Sequence, residues 1–292
     1  MPKHHALIGR EFEILTIRAC LKASRNVLIE GPVGVGKTAL ALEIARQLGS
    51  HTVRVDGDGR FNEQKLTGWF DPPLVLEKGF SQDAFIAGPL IEAMQKGAIL
   101  FINELNRLPE GVQNLLLPAI DERMVAIPKL GIVEAQPGFA VVATQNPKEF
   151  VATTQLSEAI LDRFELVVLD YQTKDDESDI VRAYAPKSTF VDRAVALVRA
   201  TREDRRFRRG ASVRAAISVA EVADELRKEG MAADQAFLNA AWMCLPTRIE
   251  LDQESEAGAG MDRAERLKKL IRELVEGLGH VTVSSSGDEK KK

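Results

Sequence analysis

The chain has 292 residues, enough for about two domains, and 45% of them are hydrophobic, the share of an ordinary globular protein. With 39 Lys and Arg against 43 Asp and Glu the net charge is −4, which excludes a global positive field drawing the chain to nucleic acid. The longest apolar runs are strand-sized and the opening MPKHHALIGREFE lacks the apolar segment of a secretion signal, so a soluble, cytoplasmic chain without a membrane partner is expected. Cys20 and Cys244 stand in no metal or redox spacing and read as buried free thiols. The four histidines form no imidazole site.

NVLIE (26–30) reads as the first strand, and KTALALEIARQL (37–48) as a helix with apolar residues at helical spacing. Between them lies GPVGVGKT (31–38), so G-x-x-x-x-G-K-[ST] sits between a strand and a helix, the context that confirms it. Gly31, Gly34 and Gly36 allow successive backbone N–H groups to turn toward one concavity, and the helix N-terminus adds partial positive charge there. This arrangement binds phosphate. The loop, with Pro32, Val33, Val35 and Ala39, is read as nucleotide-binding, Lys37 reaching the β- and γ-phosphates and the Thr38 hydroxyl ligating Mg2+.

TVRVD (52–56) is the second strand, SQDAFIAGPLIEAMQKG (81–97) a helix, and AILFIN (98–103) a third strand. Its tip is Asn103, followed by Glu104. In nucleotide-hydrolysing folds the first of these positions is an acid that holds a magnesium-bound water, and the second orients the attacking water. An amide at the first position still accepts a hydrogen bond from Thr38 or a metal-bound water, but it brings no charge. A unit charge about 4 Å away is worth at most ~4 kcal/mol at an effective dielectric of 20. Magnesium binding at Asn103 is expected to weaken while Glu104 keeps hydrolysis alive, slowly or at a higher magnesium requirement. A nucleotide-gated scaffold with negligible turnover is the alternative.

EGVQNLLLPAIDER (110–123) reads as a helix, and MVAI and IVEA around PKLG (128–131) as an inserted hairpin. FAVVATQN (139–146) and LVVLDY (166–171) complete five strands alternating with helices, the pattern of an open parallel α/β sheet. After Tyr171 the strand signals stop, and five helical patterns between KDDESDIVRAYA and DRAERLKKLIRELVEGL predict a smaller all-helical domain. The expected division is a nucleotide-binding domain over 1–172, a helical lid over 173–280 and a disordered tail over 281–292, with DQESEAGAG (252–260) a flexible joint. TREDRRFRRGASVR (201–214) carries six arginines and reads as a solvated helix end and loop.

From about residue 8 to about residue 225 the chain resembles the MoxR branch of the AAA+ ATPases and is similar to CbbQ/NorQ-type members. GPVGVGKT looks like the family's Walker A loop and ILFINELNR like its Walker B strand. The segment LLLPAIDERMVAIPKLGIVEAQPGFAVVATQNP resembles the helix, inserted hairpin and sensor strand, and LSEAILDRF and GASVRAAI resemble two further boxes. The resemblance implies a P-loop NTPase αβα sandwich of AAA+ type with a helical lid, using ATP and Mg2+. It implies that Asn146 is a first sensor holding the attacking water with Glu104. It implies that Arg163 is an arginine finger for the neighbouring subunit, with Arg107 and Arg123 as competing candidates. It also implies that Arg214, behind Ser212 as a helix N-cap, is a second sensor in the lid. A hexameric ring follows from the same resemblance. So does ATP-driven remodelling of a client protein, such as metalloenzyme maturation, with a von Willebrand factor A (VWA) domain partner as a separate chain and the hairpin near 124–135 as client or pore contact. A nucleic-acid-linked motor is the rival, motivated by the Arg-rich stretch.

Overall fold

The computed structural model describes residues 7–146, 155–252 and 262–279. The expected tail lies outside these residues, and so does the expected joint apart from Asp252. Two compact units emerge, one running from Gly9 to Tyr171 and the other built from Gln172 onward with residues 7 and 8.

The first unit opens with α1 (Glu11–Lys22), β1 (Asn26–Glu30), α2 (Lys37–Leu48) and β2 (Thr52–Asp56). An insertion follows, made of α3 (Glu63–Thr67), β3 (Gly68–Phe70), α4 (Pro72–Lys78) and β4 (Phe85–Ala87). Then come α5 (Pro89–Lys96), β5 (Ile99–Asn103), α6 (Glu110–Asn114), α7 (Leu116–Asp121), the hairpin β6 (Met124–Ile127) and β7 (Gly131–Glu134), β8 (Ala140–Gln145), α8 (Glu158–Leu161) and β9 (Phe164–Val168). Five strands pair in parallel in the order β2-β5-β8-β1-β9. The central strands are buried along their length, as Ile99, Leu100, Phe101 and Ile102 of β5 show. That accounts for their continuous apolar runs, since a parallel sheet covered on both faces has no solvated side to alternate with. Leu90, Ile91 and Met94 of α5 pack with Leu100 and Ile102 in one core, while α2 lies against β5 and β8.

The expected sandwich is therefore present, with four local corrections. The predicted helix over 81–97 is an α-helix only from Pro89 to Lys96, with a 3-10 turn at Gln82–Ala84. Proline pre-sets the first helical residue and drives the residue before it out of the helical region, so Phe85–Ala87 stays extended and pairs antiparallel with Gly68–Phe70. The predicted helix over 110–123 is broken between Asn114 and Leu116, because the ring of Pro118 clashes with the carbonyl four residues earlier. The last strand begins at Phe164 rather than 166, with Asn26 of β1 in register with Phe164. The second unit is not wholly helical.

That unit contains α9 (Lys174–Tyr184), α10 (Val191–Glu203), β10 (Phe207–Arg209), α11 (Val213–Lys228), α12 (Ala233–Cys244), β11 (Glu250–Leu251) and α13 (Arg263–Gly277). Strands β10 and β11 form a two-stranded antiparallel ribbon too short to register as periodicity. Ala215, Ala216, Val219, Ala220 and Ala223 line the buried side of α11, and Ala236, Phe237, Ala240 and Ala241 that of α12. Small side chains at such a contact let two helix axes approach closely.

Candidate functional site

The loop between β1 and α2 has the backbone that phosphate binding demands. Gly34 and Gly36 have φ of 83° and 95°, in the region that favours glycine. A Cβ on Gly36 would meet nothing within 4 Å, so the constraint there is conformational and the concavity in front of it is open. Gly31 is constrained differently, because a Cβ would lie 2.5 Å from the Leu169 carbonyl oxygen at the end of β9. Lys37 folds over the loop, its Nζ donating to the carbonyls of Gly31 at 2.6 Å and Pro32 at 2.9 Å.

The tip of β5 sits beside this loop. Thr38 Oγ1 donates to Asn103 Oδ1 at 3.1 Å, and the buried Thr144 of β8 donates to the same oxygen at 3.2 Å. Thr144 also accepts from the Glu104 N–H at 3.0 Å, so one hydroxyl ties two adjacent strand tips together. Glu104 itself has φ 60° and ψ 57°, a left-handed conformation that costs a side-chain-bearing residue about 1–3 kcal/mol. It ends the strand and starts a 3-10 turn, Leu105–Arg107, whose Arg107 Nε lies 3.1 Å from Glu104 Oε2.

The other face of Asn103 belongs to β2. Asp56 and Asn103 are register partners, and Asn103 Nδ2 donates to Asp56 Oδ1 at 3.0 Å. Arg54, two residues back on the same strand, grips the Asp56 carboxylate with Nη2 at 2.6 Å and Nε at 3.0 Å. The Arg54 bonds hold the Asp56 carboxyl below the usual carboxylate range, and the Asn103 amide adds a smaller pull in the same direction. Gly57 closes the arrangement: its N–H donates to the Asn103 carbonyl at 2.7 Å, and a Cβ there would lie 2.1 Å from the Glu104 carbonyl oxygen.

A divalent ion can be tested against these donors. Among the described residues no group of three or more His, Cys, Asp or Glu could hold a metal. What the site offers is a hydroxyl from Thr38 and an amide oxygen from Asn103, hard neutral donors that suit Mg2+ shared with phosphate oxygens.

The remaining expected residues are distributed as follows. Asn146 is buried just beyond the end of β8, and its carbonyl accepts from Asn106 at 3.4 Å. Arg163 follows α8 and pairs with Asp121 at 2.6 Å, also donating to the Ala159 carbonyl at 2.6 Å. Arg123 donates to the carbonyls of Phe139 and Gln136 and lies over the Phe139 ring. Arg214 lies in the first turn of α11, within the second unit; Ser212 occupies the N-cap position, extended, without a side-chain capping bond.

Comparison with known proteins agrees with this geometry. Residues 26–164 match the model of the AAA domain, dynein-related subfamily. Over that stretch the chain is similar to the AAA family. The resemblance to the MoxR type read from its motifs is in keeping with this likeness. Among curated relatives, the gas vesicle ATPase GvpN1 of Halobacterium salinarum is 32% identical over 63% of the chain and 58% of the relative. The gas vesicle ATPase GvpN of Haloferax mediterranei is 30% identical over 70% of the chain and 64% of the relative. The chain thus spans about three fifths of the length of these relatives. Among solved structures, a point mutant of Thermotoga maritima RuvB has a TM-score of 0.55 at 21% identity, covering 81% of this chain and 70% of that one, a likeness of fold.

Sequence reasoning missed Asp56, Gly57 and Thr144. The run TVRVD carried a faint signal, since its last residue is an acid at a strand tip, as Asn103 is a polar residue at one. What places the two side by side is strand order, which lies outside either segment.

Proposed function

We propose that the chain is an ATPase that couples ATP binding and hydrolysis to the remodelling of a client protein complex, working as a cytoplasmic homo-oligomeric ring of six. The observation that carries this reading is the hydrogen bond between Thr38 and Asn103 beside the glycine loop, which joins the phosphate-binding and water-activating halves of a hydrolytic site. In it Lys37 cradles the phosphate tail, Glu104 accepts the proton of the attacking water, and Asn146 helps hold that water. Magnesium, held by Thr38 and Asn103, would neutralise charge on the phosphate oxygens.

Arg163 is the finger offered to the neighbouring subunit, and Arg214 senses the nucleotide from the lid. The competing arginines are engaged elsewhere: Arg107 faces its own Glu104, and Arg123 holds main-chain carbonyls at the base of the hairpin. Arg163 instead pairs with a partly exposed carboxylate that phosphate can displace. For client contact the hairpin and the insertion supply apolar side chains in water, Ile132 at 65% and Leu76 at 90% exposure. A metalloenzyme client and a separate VWA-domain partner belong to this proposal. Against the nucleic-acid reading, much of the Arg-rich stretch is paired with carboxylates: Arg202 with Glu177, Arg206 with Asp204 and Glu273, and Arg208 with Glu250.

Phosphate release by the purified chain tests the reading. Slow turnover with Mg2+ and ATP is expected, falling at least about a hundredfold in Glu104→Gln, a general-base loss, and about a thousandfold in Arg163→Ala, a finger loss. Mixing the two inactive variants restores turnover, because each supplies what its neighbour lacks. A wild-type chain that binds ATP without releasing phosphate would replace this reading with the gated scaffold.

A further inference from the structure

We infer that Asp56 is a positioning residue for the metal side of the site, fixing the amide of Asn103 so that its oxygen, and not its nitrogen, faces Thr38. The inference deepens the proposed ATPase reading and rests on it.

An amide at this strand tip carries a hazard that a carboxylate does not. The two oxygens of a carboxylate are equivalent, whereas rotating an amide by half a turn exchanges an acceptor for an NH2 donor. A donor pointed at Thr38 and a cation would repel the metal. Something must therefore choose the rotamer. The hydroxyls of Thr38 and Thr144 cannot, since a hydroxyl turns to donate or accept as required. A carboxylate can, because when ionised it only accepts. Asp56 Oδ1 lies 3.0 Å from Asn103 Nδ2 and admits only the NH2 group on that side. The carbonyl oxygen is left toward Thr38 at 3.1 Å and Thr144 at 3.2 Å.

The role is orientation and not replacement of the missing charge. Arg54 takes the Asp56 carboxylate with three hydrogen bonds between 2.6 and 3.2 Å and offsets its charge at the source. The same grip fixes the carboxylate, and Arg54 in turn lies over the ring of Phe101, its register partner on β5. Backbone geometry keeps the pair together, since Gly57 draws the exit of β2 onto the Asn103 carbonyl.

The test is a charge-swap series read by magnesium. In Asp56→Asn the Arg54 fork captures the new amide oxygen, presents its NH2 to Asn103, and so inverts the Asn103 amide. Binding of a fluorescent ATP analogue without magnesium should be unchanged. The magnesium concentration giving half-maximal binding should rise about tenfold, the worth of one hydrogen bond to a charged group, and the half-saturation for phosphate release should rise with it. Asp56→Asn combined with Asn103→Asp restores a matched donor and acceptor and adds a charge beside the metal, so the magnesium requirement should fall to the wild-type value or below it. Asn103→Asp alone sets two carboxylates at hydrogen-bond distance and should gain less than the pair of changes does. If Asp56→Asn, folded by circular dichroism, kept the wild-type magnesium dependence, or if the swap failed to recover it, the relay would be overturned while the ATPase reading stood. A wild-type chain that took up no nucleotide would overturn both.

Discussion

Each unit carries a dense polar network among its described residues, and the two are built on opposite terms. At the strand tips Asp56, Asn103, Thr38 and Thr144 are linked by single hydrogen bonds at 3.0–3.2 Å, on a partly exposed edge. In the helical unit Glu177 is 1% exposed and binds Arg199 at 3.1 Å and Arg202 at 2.7 Å. Asp56, Asn103 and Thr38 keep access to water and can exchange partners, with Thr144 buried behind them. At the second Glu177 cannot, and removing it leaves the largely buried Arg202 guanidinium without its carboxylate. The energy of the first network goes into choosing which atom faces a ligand, and that of the second into holding α9 and α10 together.

The largest effect expected from that contrast is in Glu177→Ala. Breaking a buried ion pair by removing one partner costs about 3–5 kcal/mol. Thermal melting should show that loss in the variant, whereas Asp56→Asn should melt near wild type. If Glu177→Ala lost under about 1 kcal/mol, the value of a surface pair, the buried network would not be what stabilises the helical unit.

Gly57→Ala probes the contrast from the other side. A methyl group 2.1 Å from the Glu104 carbonyl forces β2 and β5 apart at their tips. Overpacking of this kind costs about 1–3 kcal/mol. The strand-tip geometry predicts a second effect: the magnesium requirement should rise with the loss of stability, because the Asp56–Asn103 bond spans the same gap. A destabilised variant with wild-type magnesium dependence would show that the tips tolerate separation.

The phosphate loop was legible because its requirements are local: glycine at fixed offsets, a strand before and a helix after. The central strands were legible for a similar reason, since NVLIE and AILFIN are apolar enough to be buried on both faces. The insertion between residues 63 and 87 was not, because FIA in β4 becomes a strand only through antiparallel pairing with GWF in β3, across the intervening α4. Asp56 was hidden by the same logic. Its residue type was visible, but its meaning depends on β2 lying beside β5, and strand order is decided by the packing of the whole sheet. The family resemblance supplied roles for Asn146, Arg163 and Arg214, and it carried no account of the departure at Asn103.

The smallest effect concerns the Arg-rich stretch, where an ion pair lies between the two extremes. Asp204 accepts from the Arg206 guanidinium at 2.7–3.1 Å and from its backbone N–H at 2.9 Å, while Arg206 also reaches Glu273 of α13 at 2.6 Å. The Arg206 bonds hold the Asp204 carboxyl below the usual carboxylate range. A carboxyl depressed in the folded state stabilises the fold above its unfolded pKa, about 3.9, and that contribution is lost as the pH falls through the lower folded value. Arg206 is 42% exposed, so solvent screening keeps the pair to about 1 kcal/mol or less. Asp204→Asn should therefore melt slightly below wild type at about pH 7, and the gap should close as the pH is lowered from about 4. A gap that stayed constant down to about pH 3 would assign the interaction to hydrogen-bond geometry alone. It would then resemble the strand-tip network in resting on the orientation of donors and acceptors.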